Sequence, residues 1–121
     1  MQEYTIPVTY NWQTASHRAP IIYKAIITQT GTAAPVATIL ENSLNTNVIW
    51  TRDSAGSYFG TLEGGEFNAS TFVLATIAKP TGAFLIYGYT SGSVLTVLTK
   101  DAAGVADDLD GTAYIEVQVY L

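Results

Sequence analysis

Strict alternation of apolar and polar side chains marks the last eight residues of the chain. The apolar members are Ile115, Val117, Val119 and Leu121, and between them lie Tyr114, Glu116, Gln118 and Tyr120. Residues 4–12 repeat the pattern, with Tyr4, Ile6, Val8, Tyr10 and Trp12 on one side and Thr5, Pro7, Thr9 and Asn11 on the other. A period of two residues is that of a β-strand with one buried face. Both segments are therefore predicted to be half-buried antiparallel strands.

Six further segments have the Val, Ile, Thr and Tyr content that is typical of strands. They are residues 21–30, 47–52, 57–62, 71–78, 83–90 and 93–99. Turn-forming residues separate them, and Ser91-Gly92 predicts a tight hairpin between the last two segments. Segment 83–90 carries apolar side chains on both faces, which indicates a central strand with two buried sides.

The segment from Pro35 to Leu44 fits two structures. Val36, Ile39 and Leu40 lie at helical spacing, and Pro35 would occupy the first turn, where its missing N–H matters little. The segment is short and ends in turn-like residues, so an extended strand fits as well, and both alternatives stay open. About eight short strands with at most one short helical turn predict an all-β fold. We expect one antiparallel β-sandwich domain over residues 1–121, jelly-roll or immunoglobulin-like.

Charged residues are scarce. Five basic and 10 acidic residues give a net charge of −5, and the charged share of 12 % is about half that of an ordinary globular protein. Five cations cannot form a phosphate-facing patch, so we predict no nucleic-acid partner. The absence of Cys excludes disulfides and thiolate metal sites. The start, MQEYTIPVTYNW, lacks the features of a signal peptide, so we expect synthesis as a soluble protein without a membrane partner.

Few residues are candidates for catalysis. His17 follows Ser16, but neighbouring residues of an extended segment point apart and no orienting acid is evident, so we interpret His17 as a loop residue. Glu63 and Glu66 could form a glycosidase pair, but they flank Gly64-Gly65 and resemble a solvated turn. We therefore predict a protein that is not an enzyme and has no catalytic residue and no bound cofactor.

One acidic cluster is a weak candidate for calcium. Asp107, Asp108 and Asp110 offer the oxygen ligands that Ca²⁺ prefers, but their spacing does not match an EF-hand loop. The alternative is a solvated loop before the last strand.

Arg52 lies in a predicted strand, two residues after Trp50 and directly before Asp53. We expect its guanidinium to stack on an aromatic ring or to pair with Asp53.

Several residues are candidates for contacts with other molecules. Pro7 cannot donate to a ladder, which predicts an edge strand; either a loop covers that edge or another chain pairs with it, and both alternatives stay open. The interface candidates are Thr5, Pro7, Thr9, Tyr114 and Tyr120. Tyr114 and Tyr120, with Tyr87 and Tyr89, could alternatively stack on a sugar. The remaining large aromatic residues are predicted to be core, with tyrosines at the rim; the core set is Trp12, Trp50, Phe72 and Phe84.

Three stretches taken together carry a family resemblance. They are TQTGTAAPVATILENSL (28–44), WTRDSAGSYFGTL (50–62) and YIEVQVYL (114–121). They resemble small β-rich proteins found among the structural genes of bacteriophages, particularly phages of Bacteroidetes-type hosts, and in uncharacterised bacterial proteins. The resemblance implies a virion protein made in the bacterial cytoplasm: a capsid decoration, head-fibre or tail-associated subunit. Its partners would be other virion proteins or copies of itself, with a trimer favoured. The alternative is a carbohydrate or host-surface binding module.

Overall fold

Strands make up the regular structure of the residues that the computed structural model describes, 19–79 and 85–121. They are β1 (Ile21–Gln29), β2 (Val36–Asn42), β3 (Val48–Ser54), β4 (Ser57–Leu62), β5 (Thr71–Lys79), β6 (Leu85–Ser91), β7 (Val94–Lys100) and β8 (Gly111–Val119). These residues contain no helix, and so none that could cross a bilayer. The all-β prediction is confirmed, whereas the strand predicted over residues 4–12 lies outside the described residues.

The strands form two antiparallel sheets of four. Sheet A has the order β2-β1-β8-β5, and sheet B has the order β3-β4-β7-β6. In sheet A, β1 and β8 are neighbours, with Ile21 opposite Val119 and Gln29 opposite Gly111. The predicted tight hairpin is confirmed, because Ser91 of β6 pairs with Val94 of β7 across a turn in which Gly92 has φ +59°. The two sheets pack face to face, which confirms the β-sandwich.

The core lies between the sheets and follows from the alternation of the strands. Sheet A contributes Tyr23, Ala25, Ile27, Ala113, Ile115, Val117 and Val119, and sheet B contributes Trp50, Tyr58, Leu95 and Val97. Every second residue of β8 is buried, as predicted, and the pattern stops at Val119, so that Leu121 is 76 % exposed. Burying one such aliphatic side chain stabilises the fold by about 1.5–3 kcal/mol.

Within the segment from Pro35 to Leu44, residues Val36–Asn42 form strand β2, so the helical alternative is wrong. Its helical spacing has a local cause. Lys24 pairs with Glu41, and the next residue of β1, Ala25, pairs with Ile39, which leaves Leu40 as the extra residue of a β-bulge. A bulge shifts the phase of alternation by one residue. Two apolar residues therefore follow each other in β2 without any helix.

Strand β6 is an edge strand of sheet B among the described strands, so the prediction of a central position is wrong. Ile86 faces the core, but Leu85, Tyr87 and Tyr89 point outward and are 45–50 % exposed. Apolar residues on both faces of this strand therefore correspond to one buried face and one face whose side chains are about half exposed.

The aromatic residues divide differently from the prediction. Trp50 is buried, as predicted, and its indole Nε1 donates a hydrogen bond of 3.0 Å to the hydroxyl of Tyr23 across the two sheets. Tyr23 and Tyr58 are fully buried in the core rather than at the rim. Phe72 is 61 % exposed, so its assignment to the core is wrong. Trp12 and Phe84 lie outside the described residues.

Candidate functional site

The most enclosed group of titratable side chains joins β3, β4 and the loop that precedes β8. The guanidinium of Arg52 donates to Asp108 twice, from Nε to Oδ1 at 3.0 Å and from Nη2 to Oδ2 at 2.9 Å. The hydroxyl of Tyr58 donates to Oδ1 at 2.8 Å, and the backbone N–H of Gly56 donates to the same oxygen at 3.0 Å. Arg52 thus pairs with Asp108 and not with Asp53, contrary to the sequence-based expectation.

The surroundings of Asp108 hold its charged form and leave it no free role in proton transfer. The hydrogen bond from Arg52 is the main cause that lowers the pKa of the Asp108 carboxyl. Burial raises the pKa of the Tyr58 phenol, whose oxygen also accepts a hydrogen bond of 2.8 Å from the backbone N–H of Leu109. These contacts fix the loop to the core. The cluster therefore acts as a structural clamp.

The calcium candidates lie together around one open cavity, which Gly31 and Thr32 also line. Asp108 is already bound by Arg52, and Oδ1 of Asp110 accepts a hydrogen bond of 3.1 Å from the N–H of Gly31. Within the described ranges, no group of three or more His, Cys, Asp or Glu side chains has the arrangement of a metal site. A cation bound by Asp108 would therefore compete with the guanidinium of Arg52.

Of the other catalytic candidates, only Glu63 and Glu66 lie within the described residues, and they do not form a common site. Ser16 and His17 lie outside the described residues. Glu63 is exposed and accepts a hydrogen bond of 2.8 Å from Nδ2 of Asn47. Glu66 borders an end cavity of about 160 Å³ whose other walls are largely apolar, and Glu63 does not reach that cavity. This pair of carboxylates therefore does not face a common substrate.

The outer surface of sheet A is a charged face. Besides charged side chains it carries apolar ones; its members are Ile22, Lys24, Ile26, Thr28, Val36, Thr38, Glu41, Phe72, Leu74, Thr76, Tyr114, Glu116 and Gln118. Along β8, Tyr114 donates to Glu116 at 2.7 Å, Gln118 donates to the other oxygen of that carboxylate, and Tyr120 donates to Gln118 at 2.9 Å. The hydroxyl groups of Tyr114 and Tyr120, the two tyrosines predicted as interface residues, thus both donate to side chains of β8. Thr5, Pro7 and Thr9, the other interface candidates, lie outside the described residues.

The outer surface of sheet B is an uncharged face. It comprises Ile49, Thr51, Phe59, Thr61, Leu85, Tyr87, Tyr89, Val94, Thr96 and Leu98. Four of these side chains are about half exposed: Ile49 (47 %), Leu85 (47 %), Tyr87 (45 %) and Tyr89 (50 %). Charged neighbours lie at both ends of this face. At one end are Asp53 and Lys100, where Nζ of Lys100 lies 5.6 Å from the ring centroid of Tyr87; at the other is Glu63, which follows Thr61 on the same side and accepts a hydrogen bond from Asn47.

Cross-strand pairing explains how the uncharged face forms. Thr51, Phe59, Thr96 and Tyr89 are successive partners across the four strands. Pairs of aromatic and β-branched side chains stabilise a sheet by about 0.2–1 kcal/mol each. Four strands about 4.8 Å apart, each with about six residues of about 3.3 Å, give a face of roughly 400 Å². This is the extent of the whole face, threonines included; the largest apolar patch on a typical monomer has a similar size and is often a functional surface.

Sequence reasoning named Tyr87 and Tyr89 only as part of a sugar platform and missed Ile49, Leu85 and Leu98 as surface residues. The available signal was the apolar content of both faces of β6, which was interpreted as burial of a central strand.

Comparison of the chain with protein-family models, with curated proteins and with solved structures finds no significant match in any of the three.

Proposed function

We propose that this chain is a non-enzymatic structural or assembly subunit that acts through protein–protein contacts made by the uncharged face. The observation that carries the proposal is the half exposure of four large apolar side chains on one side of sheet B. The resemblance of three stretches to phage structural proteins favours a virion as the setting. The chain would then be made in the host cytoplasm and become part of the particle as a capsid decoration, head-fibre or tail-associated subunit.

The contrast between the two outer faces supports this role. The charged face satisfies its polar side chains internally through the Tyr114–Glu116–Gln118 hydrogen bonds and the Lys24–Glu41 pair at 3.8 Å. The uncharged face has ten residues without a charge, so an apolar partner could cover it without desolvating an ion. Interface centres are depleted in charged residues and enriched in Tyr and Phe in the same way.

A matched pair of variants tests the proposal. Thr51 lies on the uncharged face and Thr76 on the charged face, and both are exposed residues of edge strands. We expect Thr51→Lys to abolish association of the chain with itself and with identified proteins of the particle that carries it, because the new ammonium would have to be buried. Thr76→Lys is expected to retain association.

The measurements are light scattering after gel filtration and binding of the immobilised chain to dissociated particle proteins, identified by mass spectrometry. Circular dichroism establishes that both variants fold. Full association of Thr51→Lys would overturn the assignment of the contact to the uncharged face.

Carbohydrate or host-surface binding is the second candidate. Tyr87 and Tyr89 stand side by side on β6 with both rings about half exposed, which suits stacking on a sugar. Tyr120 is less suitable, because Phe72 contacts it edge-on with centroids 5.8 Å apart. A glycan array with the wild type and Tyr89→Ala separates the candidates. Binding that Tyr89→Ala loses and Thr51→Lys retains would favour the carbohydrate role over the assembly role.

A further inference from the structure

We propose that the open side of the sandwich between β2 and β3 is a docking site for residues 4–12 of this chain, which add there as a strand antiparallel to β3. Among the described strands, β2 and β3 are the outer strands of the two sheets on this side. Residues 4–12 lie outside the described residues, so their position is inferred from what the described strands leave open and from their own sequence. This contact concerns the edge of sheet B rather than its outer surface, and it forms whether or not the uncharged face binds a partner.

The side formed by β2 and β3 leaves a core position uncovered. Ile39 pairs with the buried Ala25 and lies on the same face of sheet A, the face turned toward sheet B, yet Ile39 is 48 % exposed. The opposite side of the sandwich is closed, because a Cβ added to Gly88 of β6 would come within 2.8 Å of Val73 on β5. The uncovered interior therefore lies beside β3. Apolar side chains of a further strand at this place would remove Ile39 from water, which is favourable.

The free edge of β3 presents backbone groups that a further strand can pair. The N–H of Glu63 donates to the carbonyl of Asn47 at 3.0 Å, so Asn47 and every second residue after it direct their backbone groups toward β4. Val48, Trp50 and Arg52 therefore direct theirs away from β4, to the side where no described strand lies. The side chains of these three residues share the inward face of the buried Trp50.

The alternation of residues 4–12 fits this edge. In an antiparallel ladder, two residues that exchange backbone hydrogen bonds have their side chains on the same face, so each residue that bonds to Trp50 or its inward neighbours also points into the sandwich. The other residues of the segment then have their backbone groups on the solvent side, where the missing N–H of Pro7 matters little. The inward set is thus the apolar one: Tyr4, Ile6, Val8, Tyr10 and Trp12. Residues 4–12 carry no charge, as expected for a strand that extends the uncharged face.

The position of β1 agrees with this route of the chain. Ile21, the first residue of β1, borders the end cavity together with Leu62, the partner of Val48, so β1 and β3 start at the same end of the sandwich. A segment that leads into β1 from beside β3 runs toward this end and is antiparallel to β3. Residues 13–20 span up to about 26 Å, whereas two strand spacings and one sheet separation require only about 14 Å. Beside β2 the segment would run parallel to that strand and meet the bulge at Leu40, which interrupts the ladder.

Hydrogen exchange at the Trp50 amide tests the docking in the full chain. An N–H at a free edge exchanges fast, whereas one bonded to an added strand is protected, so we expect exchange of the Trp50 N–H to be slowed at least about a hundredfold. Val8→Lys would bury an ammonium between the sheets and is expected to release the segment and remove this protection. Thr9→Lys, the matched control, places the same charge on the outer side and is expected to retain it. The N–H of Thr51 is directed toward β4 and should stay protected in all three chains, which establishes that they fold.

Disulfide formation tests the register and the origin of the segment, because the chain contains no Cys. Outward residues of the segment lie opposite outward residues of β3 in the pairs without backbone hydrogen bonds, whose side chains are close enough for a disulfide. Thr51→Cys is therefore combined in turn with a Cys in place of each outward residue of the segment: Thr5, Pro7, Thr9 and Asn11. We expect one of the four pairs to close within one chain at least about tenfold faster than the others. The same four positions combined with Thr76→Cys, on the far edge of sheet A, measure the rate of random closure.

Four outcomes would contradict the proposed docking. Fast exchange of the Trp50 N–H in the wild type means that the edge of β3 is free. Protection that Val8→Lys retains means that another group covers this edge. Disulfides between chains instead of within one mean that a second copy donates the segment. Equal rates for the four pairs and for the Thr76→Cys controls mean that the segment has no fixed register on β3.

Discussion

The hydroxyl of Tyr58 fixes the loop before β8 to the core, and removing it is the most informative single change in the fold. The oxygen donates its proton to Oδ1 of Asp108 at 2.8 Å and accepts the N–H of Leu109 at 2.8 Å. Tyr58→Phe deletes this one atom and keeps the buried ring. The variant therefore isolates the two hydrogen bonds from the packing of the side chain.

The stability that Tyr58→Phe is expected to lose follows from the polar groups that it leaves without a hydrogen-bond partner. Leu109 is 1 % exposed, and a buried N–H without an acceptor costs about 1–3 kcal/mol. Asp108 loses one hydrogen-bond donor but keeps those of Arg52 and Gly56, so it contributes less to the loss of stability than the Leu109 N–H does. We expect a total of about 3 kcal/mol. With an unfolding entropy of about 2.1 cal/mol/K per residue, the melting temperature of 121 residues should fall by roughly 12 °C.

Scanning calorimetry at pH 7 measures the effect, and Tyr89→Phe is the matched control. That variant makes the same chemical change on the exposed face of sheet B, where we expect a shift within about 0.5 kcal/mol. Equal melting temperatures for the two variants would refute the reasoning, because they would mean that the Leu109 N–H finds another acceptor at no loss.

Three further predictions concern the same core and its charges. Gly56→Ala is expected to destabilise the fold by at least about 2 kcal/mol more than Gly92→Ala, as measured by urea unfolding. Both glycines have positive φ, but only at Gly56 would the new Cβ clash, since it would lie 2.8 Å from the backbone nitrogen of Asp107. The hydrogen-bonded guanidinium lowers the pKa of Asp108 in the folded state. The Asp108 carboxylate therefore stabilises the fold at pH values above its unfolded-state pKa of about 3.9, and this stabilisation is lost as pH falls through its folded-state pKa. The loss of stability as pH falls below about 4 should therefore be shallower in Asp108→Asn than in Asp107→Asn. Burial raises the pKa of the Tyr23 phenol, so its stabilising effect is lost as pH rises above about 10; Tyr23→Phe should reduce the phenolate absorbance that appears together with alkaline unfolding.

Local sequence patterns predicted the elements of this fold because each strand has one solvent-exposed face and one buried face. β8 is the clearest case, since its alternation reports the burial of Ile115 and Val117 directly. β2 was ambiguous because the bulge at Leu40 breaks the period of two, and a bulge depends on the partner strand rather than on the segment itself.

Long-range contacts were beyond what local patterns can predict. Arg52 and Asp108 are 56 residues apart, and they meet only because β3 and the loop before β8 lie at the same end of the sandwich. Asp53 was the obvious partner in sequence, but adjacent residues of a strand point to opposite faces. The exposure of Leu85 and Tyr87 was missed for a related reason: apolar side chains on both faces indicate two contacts but do not say whether the second is made within the chain.

The place of β8 between β1 and β5 also determines the order in which the molecule can fold. Sheet B has all four of its strands once residue 100 has left the ribosome, whereas sheet A lacks the strand that joins its two parts until residues 111–119 follow. The pairing of Ile21 with Val119 closes a very long loop, and such distant contacts make folding slow. The uncharged face is thus complete on the growing chain before the core beneath it is closed. Completion of the sandwich therefore waits on the insertion of β8 between β1 and β5.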